Sequence, residues 1–125
     1  MVLDDLFKAA TDFDTEKLAA IMHPDVRFHE MPNLIAPAGK DFGFEEALAG
    51  LRRGRETLAA QSYEVHSRVG DGETIASRLT WRGTLAATGQ ELTAHIAAFT
   101  QVRDGKLFRH ATYDCYEPFT LRSGA

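Results

Sequence analysis

The sequence predicts an α+β domain in which helices pack on one face of a curved, mostly antiparallel sheet. Two long runs of strand-forming residues, Leu92–Arg103 and Lys106–Tyr116, meet at Asp104-Gly105, a dipeptide that tolerates the positive backbone angles of a tight hairpin. Two further runs, Tyr63–Val69 and Thr74–Thr84, precede them across short connections that contain glycine. The C-terminal half is therefore predicted to be a meander of four strands.

The N-terminal half supplies the helices that would cover this sheet. Apolar residues at helical spacing near the start of the chain predict a short amphipathic helix: Leu3, Leu6, Phe7 and Ala10. A second helix is expected to begin at Asp14, whose side chain can cap it, and to end before His23-Pro24, because the residue before a proline disfavours helical angles. The third and longest helix is expected over Glu45–Gln61.

The strand between the second and third helices carries the first chemical clue. Val26, Phe28 and Glu30 alternate with polar residues, so Glu30 points the same way as two apolar side chains. If those two face the core, the carboxylate faces it as well. A structural ion pair between Glu30 and Arg78 is the alternative. The segment that follows, Met31–Gly43, is expected to be an irregular loop that folds over apolar residues.

Composition narrows the classes of function. The 125 residues fit one domain, taken as 1–125, and the tail after Phe119 is expected to fray. A net charge of -4 gives no reason to expect a nucleic-acid partner. The start lacks the pattern of a signal peptide, and no apolar run approaches the roughly 20 residues of a membrane span. A cytoplasmic protein without a membrane partner is expected.

The sequence also gives no sign of a metal or cofactor. The five histidines lie on separate elements without the paired spacing of a zinc site. No glycine-rich loop joins a strand to a helix, so a dinucleotide is not expected either. The single cysteine, Cys115, is interpreted as a small apolar filler.

Three segments carry a family resemblance: Ala76–Thr84, Thr88–Gly105 and Lys106–His110. Together with the order of elements, they resemble the SnoaL-like (polyketide cyclase-like) branch of the nuclear transport factor 2-like superfamily over nearly the whole chain. The resemblance implies a cone-shaped domain whose helices and sheet enclose an apolar pocket, frequently dimerised through the outer sheet face. One such scaffold carries isomerases, cyclases, hydrolases, dehydratases and binding proteins, so the resemblance implies the fold more than the reaction.

Local similarity to two enzymes of this superfamily adds detail. The segment Phe28–Pro32, with the loop and helix start after it, resembles limonene epoxide hydrolase, which uses an arginine flanked by two aspartates. Arg78 matches that arginine, but Thr80 and Thr112 stand where the aspartates belong. Asp114 lies two residues beyond Thr112, hence on the same strand face, and SnoaL-type cyclases rely on a strand-borne acidic residue.

Comparison with ketosteroid isomerase implies that Glu30 is a base, and it argues against the steroid isomerase mechanism. Glu30 resembles the carboxylate that moves a proton beside a carbonyl, and an apolar pocket would raise its basicity. That enzyme also needs a tyrosine and a protonated aspartate as donors to the enolate oxygen. Leu6 and Ala97 occupy the corresponding positions here, so steroid isomerisation by that mechanism is not expected.

These observations define a predicted site. Its catalytic residues would be Glu30 as base, Arg78 as electrostatic partner, and His95 or Asp114 as second proton carrier. Strand phase adds a set of pocket-lining residues: Phe28, Thr80, Ala97, Phe99, His110 and Thr112. Two alternatives stay open, a hydrogen-bonded core role for His95 and a ladder-ending role for Asp114. Tyr113 and Tyr116 are assigned to packing or an interface.

The predicted function is that of a small-molecule pocket protein, active as a homodimer. We expect a cofactor-free acid–base enzyme of the isomerase, cyclase or hydrolase type, with a hydrophobic substrate that carries a carbonyl or ring oxygen. Two other classes stay open. One is a non-catalytic binding module for an apolar ligand, and the other is a dimeric adaptor that uses the outer sheet face.

Overall fold

A computed structural model of the chain describes residues 1–120; the remainder of the tail that was expected to fray, residues 121–125, lies outside the described residues. The helices are α1 (Val2–Thr11), α2 (Thr15–Ile21) and α3 (Phe44–Thr57). The strands are β1 (Met22–Glu30), β2 (Lys40–Phe42), β3 (Leu58–Gly70), β4 (Thr74–Leu85), β5 (Glu91–Arg103) and β6 (Lys106–Tyr116).

All six strands form one sheet in the order β2-β1-β6-β5-β4-β3. Only β1 and β6 pair in parallel, and every other neighbouring pair is antiparallel. The predicted hairpin is confirmed: Asp104 and Gly105 have φ angles of 54° and 72°, the left-handed values that a tight turn between twisted strands requires. The predicted α+β class is therefore confirmed.

The helices bury their apolar stripes against one face of this sheet. Helix α1 contributes Leu3, Leu6 and Ala9, all buried. Asp14 caps α2 as expected, since its Oδ1 accepts a hydrogen bond of 3.0 Å from the Lys17 backbone N–H. The core cluster joins these helices to the sheet through Met22, Val26, Phe28, Ile75 and Leu107. This cluster holds the helices on one face of the sheet.

Helix α3 ends earlier than the sequence predicts. Leu58 already has extended angles, with φ −108° and ψ 131°, and it pairs with Leu85 as β3 begins. Residues 58–61, which were expected to be helical, therefore belong to a strand. Pairing of β3 with β4 along the whole length of the ribbon overrides the helical preference of this short stretch. The correction brings Gln61 onto the sheet, in the same strand as Tyr63.

The predicted loop Met31–Gly43 also differs in part, because Lys40–Phe42 forms the edge strand β2. Phe42 stacks on Phe28, with ring centroids 4.9 Å apart. Leu34 and Ile35 are exposed and do not cover apolar residues. Among the described residues, no helix is long and apolar enough to cross a membrane.

Candidate active site

A cavity of about 320 Å³ opens between the helices and the concave face of the sheet. This volume is at the small end of the range for ligand pockets. The lining residues are mostly apolar or aromatic, with a few polar groups among them. They are Leu6, Phe7, Ala10, Phe28, His29, Glu30, Phe42, Gln61, Tyr63, Leu79, Trp81, Ile96, Ala98, His110, Thr112, Asp114 and Tyr116.

Strand register arranges the polar lining in rows across the sheet. Tyr63 pairs with Trp81, Trp81 with Ala94, and Ala94 with Tyr116, so three aromatic side chains share one row on the concave face. Asp114 lies in the next row, since it pairs with Ile96. Residues directly opposite each other, or one row apart, are within reach of aromatic and long side chains.

A third row brings in the carboxylate from the other end of the chain. Glu30 pairs with Thr112 across the parallel β1–β6 ladder, and Thr112 pairs with Ala98. Glu30 and Asp114 therefore face the same cavity from neighbouring strands. One oxygen of Glu30, Oε2, accepts a hydrogen bond of 2.9 Å from the Asn33 side chain. Asn33 also bonds the backbone of Met31 and Ile35, so the loop after β1 fixes the direction of this carboxylate.

The protein environment perturbs the Asp114 carboxyl. Burial raises its pKa to about 6, the negative charge of Glu30 adds to the rise, and a hydrogen bond from the Thr112 hydroxyl opposes it. Its Oδ1 is buried and has no hydrogen-bond partner among the described residues. A buried acceptor without a donor is costly, so this oxygen is available to a group that enters the cavity.

The two cavity tyrosines keep their protons. Burial raises the pKa of Tyr63, and the Asp114 carboxylate raises it further. The pKa of Tyr116 rises for the same two reasons, with smaller contributions from Glu30 and Tyr63. Both phenols are thus neutral hydrogen-bond donors at any physiological pH.

His110 is a buried, neutral member of the lining. Burial lowers its pKa to about 4, so the imidazole is uncharged at neutral pH. Its Nδ1 shares a hydrogen bond of 2.9 Å with the fully buried Thr100 hydroxyl. The ring also meets Phe28 edge to face, with centroids 5.9 Å apart. These contacts give His110 a packing role at the inner end of the cavity.

The aromatic row is held from the helical side. Trp81 Nε1 donates a hydrogen bond of 2.8 Å to Gln61, whose side-chain nitrogen donates one of 2.7 Å to the Ala10 carbonyl in the last turn of α1. Gly83 allows the indole to lie where it does, because a Cβ there would be only 2.4 Å from Trp81 Cζ2. Phe7 stacks on Tyr63 at 5.0 Å.

Residues 3–110 match the family described as the SnoaL-like domain, which is well over half of the chain. This chain belongs to the SnoaL-like domain family. The resemblance predicted from the sequence is confirmed, as is the nuclear transport factor 2-like fold of three helices on a six-stranded, mostly antiparallel sheet.

Among the solved structures similar to this SnoaL-like domain are three proteins that are described as different kinds of protein. Wild-type IdmH, a putative polyketide cyclase from Streptomyces antibioticus, superposes with a TM-score of 0.74 at 23% identity, covering 90% of this chain and 88% of that one. An LEH-like epoxide hydrolase from M. tuberculosis gives 0.74 at 14% identity, with 93% and 80% covered. A hypothetical protein with a ketosteroid isomerase-like fold from Catenulispora acidiphila, in complex with trimethylamine, gives 0.76 at 12% identity, with 90% and 83% covered. No curated protein matches the sequence.

The structure brings together part of the predicted site of this SnoaL-like domain. Glu30 and Asp114 both line the cavity, as do the predicted lining residues Phe28, His110 and Thr112. The strand phase assigned to β1 and β6 from the sequence therefore agrees with the structure. The alternative that Asp114 only ends the ladder does not fit its place in the cavity wall, because the β5–β6 ladder continues beyond it to Tyr116.

The phase predicted for β4 and β5 was wrong by one residue. Arg78, Thr80, His95, Ala97 and Phe99 lie on the outer face of the sheet, opposite the cavity. Their neighbours in sequence line the cavity instead: Leu79, Trp81, Ile96 and Ala98. The physical reason is that β5 carries apolar side chains on both faces, so alternation alone does not distinguish the inner face from the outer one.

Three of these residues, Arg78, His95 and Thr80, have clear environments on the outer face. Arg78 is exposed on the outer face, whereas Glu30 lines the cavity on the other face. The structural ion pair between them that was considered from the sequence is therefore also wrong. His95 Nε2 lies 2.7 Å from Glu117 Oε2. Thr80 is buried, and its hydroxyl shares a hydrogen bond of 2.7 Å with His66 Nε2. Neither Arg78 nor His95 is placed to act on a ligand in the cavity.

Sequence reasoning missed the aromatic row. Tyr63 was not considered as a site residue, and Tyr116 was assigned to packing or an interface. Taking the phase of β4 from the apolar Leu79 and Trp81, rather than from Arg78, would have turned this row inward. Among the described residues, no three His, Cys, Asp or Glu side chains come together in a group that could hold a metal ion.

Proposed function

We propose that this SnoaL-like chain is a cofactor-free acid–base enzyme that acts on a small, mostly apolar molecule with a carbonyl or ring oxygen. The observation that carries the proposal is the Asp114 carboxyl. It lies in an apolar cavity with a raised pKa, an unpaired buried oxygen and two neutral phenols close by. Carboxyls perturbed in this way by burial and a like charge are typical of functional clefts.

Asp114 is the general base of the proposed reaction. With a pKa of about 6 it is ionised at neutral pH and is more basic than an ordinary carboxylate. General acid–base catalysis is most effective when the pKa of the group lies near the working pH. Glu30, assigned as the leading base from the sequence, instead becomes the neighbour that raises this pKa, because Asn33 already holds one of its oxygens.

The proposed step moves one proton. Asp114 takes it from a carbon beside the carbonyl, and the electron pair of the broken C–H bond moves onto the carbonyl oxygen. Tyr63 and Tyr116 donate hydrogen bonds to the oxygen as its negative charge develops. In a β,γ-unsaturated substrate the proton then returns from Asp114 to the far carbon of the double bond, which shifts into conjugation with the carbonyl and isomerises the substrate. In a dicarbonyl substrate the proton instead goes to the alkoxide formed when the enolate carbon attacks the second carbonyl, which closes a ring. A putative polyketide cyclase among proteins with this fold fits the ring-closing branch of this chemistry.

A panel of enolisable ketones, diketones and epoxides tests the proposal. Asp114→Asn is expected to lower kcat by roughly 10²- to 10⁴-fold with little change in affinity for these neutral substrates, because the carboxylate acts on them only in proton transfer. Tyr63→Phe and Tyr116→Phe should each lower kcat by less. Glu64→Gln is the matched control, since Glu64 is an exposed acid that pairs with Arg82. A variant Asp114→Asn that keeps full turnover would exclude Asp114 as the base.

A binding module is the second candidate, and the stacked aromatic pairs of the cavity favour it. Phe28 stacks on Phe42 and Phe7 on Tyr63, so two walls are flat apolar surfaces suited to holding a ring without chemistry. For this candidate, Asp114→Asn changes affinity for an apolar ligand and there is no turnover to lose. The two candidates are therefore separated by whether the same variant affects kcat or binding.

A further inference from the structure

The cavity carries negative charge that no side chain in the described part of the chain neutralises. Glu30 and Asp114 line it, and its lining contains neither lysine nor arginine. None of the ion pairs among residues 1–120 includes either acid. Buried charges are normally paired, so an acidic cavity without a cation is an incomplete arrangement.

The basic groups beside Glu30 in the sheet and in the cavity lining either have other partners or are neutral. Lys40 pairs with Glu30 in the β1–β2 ladder, but its ammonium lies 3.3 Å from Glu46 Oε1. His29 also lines the cavity, and its Nδ1 lies 2.9 Å from Asp41 Oδ1. His110 is neutral at pH 7 because burial lowers its pKa to about 4. The repulsion between the two cavity carboxylates is therefore left for a ligand to relieve.

The walls beside these acids are aromatic. Trp81 and Tyr116 meet edge to face, with centroids 6.2 Å apart and planes at 79°, and thus form a corner. Tyr63 lies opposite Trp81 in the same row. An ammonium group is attracted to the face of such rings, tryptophan most strongly, and the attraction grows when water is excluded. Carboxylates behind an aromatic corner are what a bulky, weakly hydrated cation needs.

We propose that the ligand of this cavity carries a positively charged nitrogen, a protonated tertiary amine or a quaternary ammonium, seated between the Trp81–Tyr116 corner and the carboxylates of Glu30 and Asp114. This inference rests on the proposed function, since it assigns a ligand class to the same site. The cation sits against the unpaired Oδ1 of Asp114, and the apolar remainder of the ligand fills the space near Phe28 and Phe42. A neutral molecule of equal size does not relieve the repulsion between the two carboxylates.

A pair of isosteric probes tests the inference by equilibrium binding alone. Choline and 3,3-dimethylbutan-1-ol differ only in N⁺ against C at the centre of the three methyl groups. Trp81 is the single tryptophan of the chain and lines the cavity, so its fluorescence and its indole N–H resonance report binding directly. At pH 8 we expect choline to bind at least about tenfold more tightly than the alcohol.

Substitutions test whether the two cavity carboxylates cause the preference for choline. Asp114→Asn and Glu30→Gln should each remove most of the preference for choline, whereas Glu64→Gln, which changes the net charge equally on an exposed pair with Arg82, should leave it intact. A circular dichroism spectrum of each variant checks that it folds. Equal or tighter binding of the alcohol, or no binding of either probe, overturns the inference. The turnover assay with Asp114→Asn decides the proposed function separately, because it requires no choice of ligand charge.

Discussion

The Trp81 indole donates its N–H to the Gln61 side chain over 2.8 Å, and Gln61 donates in turn to the Ala10 carbonyl at the end of α1 over 2.7 Å. One amide therefore ties the first helix to the aromatic row of the sheet. Ala10 and Trp81 both line the cavity, so this link also sets the distance between its helical wall and its floor.

Replacing Gln61 with leucine should weaken this link. The Trp81 N–H and the Ala10 carbonyl would each lose a partner in a partly buried place, which costs on the order of 1–3 kcal/mol in the free energy of unfolding. Urea denaturation measures the change. Ser62→Ala, on the exposed neighbour that faces outward, is the control and should have little effect. Equal stability of the leucine variant and the wild type would show that the link is not a structural restraint.

Replacing Asp114 with asparagine should stabilise the fold at neutral pH while it lowers activity. The folded-state pKa of about 6 lies above the ordinary value of 3.8, so the folded protein binds a proton more tightly than the unfolded chain does. The stability contributed by Asp114 is thus fully present below the unfolded pKa and is lost as pH rises through about 6.

The asparagine variant does not suffer this loss. We expect its free energy of unfolding at pH 8 to exceed that of the wild type by on the order of 1–2 kcal/mol, with the difference shrinking towards pH 4. Denaturation at several pH values provides the comparison. A variant that is less stable than the wild type at pH 8 would mean that the carboxylate is well paired, contrary to its unpaired Oδ1.

His110 should make the fold sensitive to acid. Its folded-state pKa of about 4 lies below the ordinary value of 6.5, so the unfolded chain binds the proton more readily. Stability is retained above pH 6.5 and declines as pH falls towards 4, by on the order of 2–3 kcal/mol. His110→Gln keeps a hydrogen-bonding group for Thr100 and should flatten this decline. An unchanged slope of stability against pH would exclude His110 as its source.

We propose that the chain forms a homodimer through the outer sheet face, where Phe99 and Tyr113 are 50% and 48% exposed and meet edge to face at 5.8 Å. Phe99→Glu would bury a charge in such an interface and should shift the mass in solution, measured by light scattering, from dimer to monomer. Leu34→Glu is the control, because Leu34 is 61% exposed but lies in the loop after β1. A monomeric wild type would contradict the proposal.

Much of the fold could be predicted because its local patterns agree with its tertiary structure. The Asp104-Gly105 turn, the Asp14 cap and the alternation of β1 each specify one conformation. Residues 58–61, predicted to be helical, and residues 40–42, predicted to be a loop, are the exceptions, since pairing with β4 and with β1 makes each of them a strand.

The site was less predictable, for a reason visible in β5. Ile96 and Ala98 face the cavity while Ala97 and Phe99 face outward, so both faces of the strand are apolar and its phase is ambiguous. In β6, by contrast, His110 and Asp114 fall on one face, and the polar pattern identified it. The proximity of Glu30 to Asp114 depends on the parallel β1–β6 pairing, which no local pattern specifies.

The position of β6 between β1 and β5 also determines when the domain can form. This strand comes after the other five strands of residues 1–120, yet it joins the α1–α2–β1–β2 part to the β3–β5 ribbon. A nascent chain that has emerged only as far as residue 105 has two unjoined sheet fragments, each with an unpaired strand edge. Because the contacts of β6 link distant parts of the chain, the domain should fold slowly for its size. Folding is complete only after β6 has left the ribosome, and the chain is exposed to aggregation until then.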